Sequence, residues 1–141
     1  MALTSDGSTF RFFVNGELVK QAECVFGGEN TSTLHFGRSD GCGQTFHGMI
    51  DEVRIWNVAR SNEDMNEGYK CQLESSLPGL VGHWKFDEEA ESQVILDSSG
   101  SGFHGSLGGD QDPSSQDPQR VGSTAPFDCY LIFRDGFEVK D

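Results

Sequence analysis

The sequence predicts an all-β antiparallel sandwich that carries one short helix. Three observations carry this. Asn15-Gly16 stands between two β-prone runs, and Asn-Gly is the strongest short hairpin signal because both turn residues need positive φ. Residues 46–57 and 80–87 alternate apolar and polar side chains with the period of a strand. Eighteen glycines and eleven phenylalanines among 141 residues suit a fold of many strands and turns.

In chain order, Asp6-Gly7-Ser8 reads as a turn, so the first strand is expected to begin after it. Residues 9–14 and 17–20 then form the hairpin. A two-residue turn sets Phe13 opposite Leu18 and Phe12 opposite Val19. Residues 21–32 are polar and glycine-rich, a loop holding Cys24. A short strand is expected at 34–38 and a second loop at 39–45, which holds Cys42. Within the strand at 46–57, Met49, Asp51, Val53 and Ile55 point one way and Ile50, Glu52, Arg54 and Trp56 the other. The first set is the core side, which puts Asp51 among apolar neighbours. A carboxylate there must be hydrogen-bonded, paired or bound to a cation.

Ser61 and Asp64 form a capping-box pattern, so a helix is expected over 62–72 with Met65, Tyr69 and Leu73 as its apolar stripe. Gly68 weakens it. In the strand at 80–87, Leu80, Gly82, Trp84 and Phe86 face away from Val81, His83, Lys85 and Asp87. Residues 108–119 contain two Asp-Pro steps and few apolar side chains, the pattern of a loop. A last apolar run at 129–133 suits one more strand, which is expected to pair with a sheet edge. The organisation expected is a sandwich over 1–109, a loop over 110–126 and a tail over 127–141.

Twenty-three acidic side chains stand against ten basic ones, a formal net charge of −13. Such a surface repels phosphate backbones and anionic lipid, so nucleic acid is excluded as a partner. No apolar run approaches the ~18 residues of a membrane span, and no leader segment is visible at the start. Cys24, Cys42, Cys71 and Cys129 are widely spaced without a C-x-x-C pair, which argues against zinc. Three disulfide pairings are open to them in an exported protein, and free buried thiols are the alternative.

The run at 48–60 (GMIDEVRIWNVAR) resembles the closing strand of the laminin-G-like, concanavalin A-like lectin–glucanase jelly-roll family. In that family it follows a hairpin and a short Leu-x-Phe-Gly strand, and this chain has both, at 10–20 and 34–38. Residues 80–87 with 96–107 (LVGHWKFD and LDSSGSGFHGSL) resemble the strands that open a jelly roll of the same family. The resemblance implies an antiparallel jelly-roll β-sandwich that is incomplete or circularly permuted. A tail that completes the sandwich and a piece running from one repeat into the next are also open. With the family's first strands missing, exposed sheet edges imply a homodimer or strand exchange between copies.

Hydrolases share this fold, yet the glucanase strand E-x-D-x-x-E is not present, and no Ser/His/Asp or Cys/His arrangement is readable. The expectation is a module that is not an enzyme. It binds carbohydrate or an extracellular protein, outside the cell or at its surface. A structural or adhesive repeat with no small ligand is the alternative. Trp56, Trp84 and Tyr69 are the candidate sugar-stacking platforms, although each also suits a core. The resemblance further implies calcium as a structural cation at Asp51, with backbone carbonyls completing the six to eight oxygens that calcium takes.

Overall fold

The computed structural model describes residues 1–23, 31–39, 44–73, 77–108, 117–123, 129–134 and 137–140. Cys24, Cys42, the Gly27-Gly28 step and most of the loop at 110–126 lie outside that set.

The first strand lies earlier than the turn suggested. Strand β1 is Ala2–Ser5 and pairs antiparallel with β2, Thr9–Val14, Leu3 facing Phe12. Asp6 makes the turn between them, its Oδ1 accepting from the N–H groups of Ser8 at 3.1 Å and Thr9 at 2.9 Å. These bonds, Thr9's foremost, with those from the Ser8 hydroxyl and Arg11, hold the Asp6 carboxyl well below the usual range. Strand β3, Glu17–Glu23, closes a sheet of order β1-β2-β3. At the tip, Asn15 and Gly16 take φ of 52° and 80°, the left-handed pair that a type I′ turn demands. Phe13 faces Leu18 as expected. Phe12, however, faces Lys20 and not Val19, because a bulge between Phe12 and Phe13 inserts one residue.

Strands β4 (Arg38–Ser39) and β5 (Gln44–Thr45) form a two-residue ladder, shorter and later than the strand expected at 34–38. The long strand expected at 46–57 contracts to β6, Val53–Trp56. The reason is Glu52, whose φ of 51° turns the backbone out of the extended region and breaks the alternation upstream. Met49 is therefore 71% exposed and does not share a buried face with Val53. Helix α1 spans Asn62–Gly68 and ends before the expected 72. Its capping box is complete. Ser61 Oγ accepts from the Asp64 N–H at 3.1 Å, and Asp64 Oδ2 accepts from the Ser61 N–H at 2.8 Å. Strand β7, Cys71–Leu73, comes next in the chain, where helix was expected.

Strand β8, Leu80–Trp84, pairs antiparallel with β6, Val53 facing Trp84 and Ile55 facing Gly82. The two best-patterned runs of the sequence thus lie side by side, with α1 between them in the chain. Gly82 is required here: a Cβ at that position would come 2.3 Å from the folded-back Trp84 ring. The strand stops short of 87 because Phe86 takes φ of 59°. Strands β9 (Val94–Ile95) and β10 (Gly105–Ser106) make a small ladder. Strand β11, Cys129–Arg134, pairs parallel with β7 and antiparallel with β12, Phe137–Lys140. The last apolar run does join a sheet edge, and that edge belongs to the unforeseen β7.

Among the described residues, two apolar clusters anchor these elements. Cys71, Leu73, Leu77 and Leu80 form one, with Trp56 packed against it. Trp84, Ile95 and Leu107 form the other, with Phe36, Val53, Ile55 and Phe86 around them. Burying side chains of this size stabilises by about 1.5–3 kcal/mol each.

Candidate functional site

The hairpin tip and α1 meet through a glycine. A Cβ on Gly16 would lie 2.6 Å from Tyr69 Cδ1 and 3.1 Å from Asn66 Cα, so the turn seats directly against the end of the helix. Thr4 Oγ1 donates to the Arg60 carbonyl at 3.4 Å and ties β1 to the residue before the N-cap. Arg60 also pairs with Asp64 at 3.2 Å, which holds the first turn of the helix.

Between the two elements runs a groove of about 390 Å³. Phe13, 1% exposed, and Leu18, 42% exposed, supply its apolar part. Glu17 borders it from β3, and Glu63 and Glu67 border it from α1. Asn62 and Asn66 add two amides. The helix presents carboxylates along this side because its sequence, NEDMNEG, holds three acids and no base. Apolar surface bordered by fixed charge of one sign selects ligands by charge and shape together.

The four side chains singled out from the sequence have different fates. Trp84 is a core residue, 6% exposed. Its indole N–H donates to the Phe103 carbonyl at 2.8 Å, and Phe36 packs edge-to-face on it at 5.0 Å. It offers no face to a sugar, a correction that stems from its place in the middle of a cluster. Trp56 packs against the Leu73–Leu80 cluster on one side, and the Arg60 guanidinium sits 4.4 Å from its ring centre. Tyr69 is 49% exposed beside the groove. Asp51 is half-buried and not in the core as expected. It lies just before β6, where its Oδ2 accepts from Ser123 Oγ at 2.5 Å. Among the described residues no three His, Cys, Asp or Glu side chains are grouped to hold a metal. Trp56 and Trp84 belong to separate apolar clusters, and neither lines the groove beside Tyr69.

Sequence reasoning missed a buried polar cluster. His83, 2% exposed, places Nε2 2.7 Å from Glu52 Oε2, and Arg54 donates to the same oxygen at 2.7 Å. Arg54 also donates to the Cys71 carbonyl at 2.6 Å, so the cluster joins β6, β8 and β7. Burial works to raise the Glu52 pKa, but hydrogen bonds from His83 and Arg54 prevail and hold the carboxyl below the usual range. The available signal was a histidine on a strand face that also carries valine, with Glu52 and Arg54 two apart.

A second cluster organises the D-S-S-G loop. Asp97 accepts from three backbone N–H groups, those of His83 at 3.0 Å, Ser99 at 2.8 Å and Phe103 at 3.0 Å. Desolvation opposes these bonds, yet they keep its carboxyl well below the ordinary range. Arg120 acts as a strap. It donates to Glu88 Oε2 at 2.7 Å and to the carbonyls of Phe86, Ser92 and Val94. A further concavity of about 400 Å³ lies beside it, but this guanidinium is already committed within the chain.

Among the described residues, a mostly antiparallel β-framework with one short helix is consistent with the concanavalin A-like all-β fold. Residues 1–66 match the family model of the concanavalin A-like lectin/glucanases superfamily, in its laminin G form. The resemblance read from the hairpin and the run at 48–60 is borne out over that stretch. The matched residues include β1, β2, β3, β6 and all of the groove except Glu67. Neither the search of curated proteins nor that of solved structures returned a match.

Proposed function

We propose that the chain is a non-catalytic extracellular binding module that recognises a protein partner through the groove between the β2–β3 turn and α1. The groove itself carries this reading, as an open concavity with an apolar part and a charged border that lies, but for Glu67, inside the family-matched region. The non-catalytic part is supported by the carboxylates. Asp97 spends both oxygens on backbone N–H groups, and Glu52 commits its Oε2 to His83 and Arg54. A catalytic acid or base keeps a lone pair or proton for substrate. Export is supported by Cys71, which is disulfide-bonded, since such bonds persist in oxidising compartments.

Carbohydrate is the second reading, favoured by the exposed ring of Tyr69 at the end of the groove. The test is a glycan array beside a displayed-peptide library, each with wild type, Leu18→Ser and Tyr69→Ala. Peptide binders lost on Leu18→Ser are expected. Glycan binding that vanishes with Tyr69→Ala and survives Leu18→Ser overturns the protein reading. The homodimer enters as part of this proposal from β1 and β3, which are the edges of their sheet among the described strands. Light scattering that shows only monomer at high concentration removes it.

A further inference from the structure

We propose that the occupant of the hairpin–helix groove is a basic peptide segment in which a lysine or arginine flanks an apolar side chain. The inference rests on the reading of this groove as the binding surface and names the chemistry of the partner. Leu18, 42% exposed, gives the groove its apolar surface above the buried Phe13, and the apolar side chain of the ligand would rest on it. Glu17 stands on one side and Glu63 and Glu67 on the other, so cationic groups before and after that side chain meet carboxylates on both walls. Among the described residues no lysine or arginine lines the groove, so no fixed positive charge there opposes such a ligand. The same arrangement disfavours sulfated or sialylated glycans and acidic peptides, which would face three like charges. The chain's net charge of −13 strengthens long-range attraction toward a basic partner, and salt screens that attraction.

The probe is the fluorescent heptapeptide Gly-Ser-Lys-Leu-Lys-Ser-Gly, followed by anisotropy with the whole chain. Binding is expected to weaken about tenfold in the triple variant Glu17→Gln, Glu63→Gln, Glu67→Gln, which removes the carboxylates that face the probe's two lysines. It should weaken further as salt rises. The control removes the same charge elsewhere, with Asp87→Asn, Glu89→Gln and Glu91→Gln, and is expected to change affinity less than about twofold. Thermal melts of both variants establish that each is folded. Replacing the probe leucine by glycine should abolish binding.

Equal loss in the two triple variants would show attraction to net charge alone and overturn the proposal. So would equal binding of a Glu-Leu-Glu probe. If the basic heptapeptide does not bind while another protein ligand is lost on Leu18→Ser, the basic-peptide inference falls and the binding-module reading stands. If that ligand ignores Leu18→Ser, both fall.

Discussion

Two regions of this molecule use carboxylates in opposite ways. Around Trp84, the acids face inward: Glu52 is held by His83 and Arg54, Asp97 by three backbone N–H groups, and Glu88 by Arg120. Around the hairpin tip, Glu17, Glu63 and Glu67 border an open groove. The difference separates acids enclosed by the fold from acids at an open surface, Glu17 and Glu63 among them. Net charge cannot make that separation, because both groups contribute to the same total. The inward acids are locks, and the groove is where recognition is expected.

The largest expected effect tests the lock. Glu52→Ala leaves the nearly buried His83 and the Arg54 guanidinium without their shared acceptor and should cost about 3 kcal/mol of unfolding free energy. Urea denaturation measures it. A loss under about 1 kcal/mol would mean that the cluster is solvated and not a lock.

Asp97→Ala should come next, at about 2 kcal/mol, because three backbone donors lose one acceptor group. The pH dependence sharpens this case. The folded-state pKa of Asp97 is depressed, so the unfolded chain takes up its proton first as pH falls. Its contribution is therefore complete above the ordinary carboxylate value of about 4 and is lost progressively below it. Glu52 acts in the same direction. Melting temperatures followed from pH 6 downward to about pH 2 should fall below about pH 4, and Asp97→Asn should flatten that slope. An unchanged slope in Asp97→Asn would place the acid sensitivity elsewhere.

Gly16→Ala probes the other region. A side chain at φ of 80° costs about 1 kcal/mol, and its Cβ would also press on the Tyr69 ring. Stability should drop by about that amount while ligand affinity falls more, since the turn must lift from α1. If affinity is unchanged, the groove is not the binding surface.

Asp51→Asn is expected to be the mildest, about 0.5 kcal/mol for one partly exposed hydrogen bond to Ser123. Equal melting shifts in calcium and in chelator would remove the proposed cation. A calcium-dependent shift in wild type that disappears in Asp51→Asn would support the cation that the family resemblance implies there.

Much of the local structure was legible from residues close together in the chain. Asn15-Gly16 specified the hairpin because few residues tolerate positive φ, and Ser61 with Asp64 specified the helix start through two bonds within one turn. The pairing of 53–56 with 80–84 was legible from two strand patterns that needed each other. Misreadings arose where a single backbone angle overrode a pattern. Glu52 in the left-handed region put Asp51 half outside the core, and Phe86 did the same to end β8. One inserted residue moved Phe12 from Val19 to Lys20.

By itself, then, the sequence determined the all-β class, the hairpin, the capped helix and the acidic balance. Each depends on turn geometry, period or composition. Only the tertiary structure decided that Trp84 is enclosed, that Glu52 meets His83 across 31 positions, and that Arg120 straps residues 86–94. The same holds for the groove, whose two walls are separate stretches that share no local signal. Such contacts depend on how strands are placed in space, and a linear pattern carries the period of each strand without its neighbours.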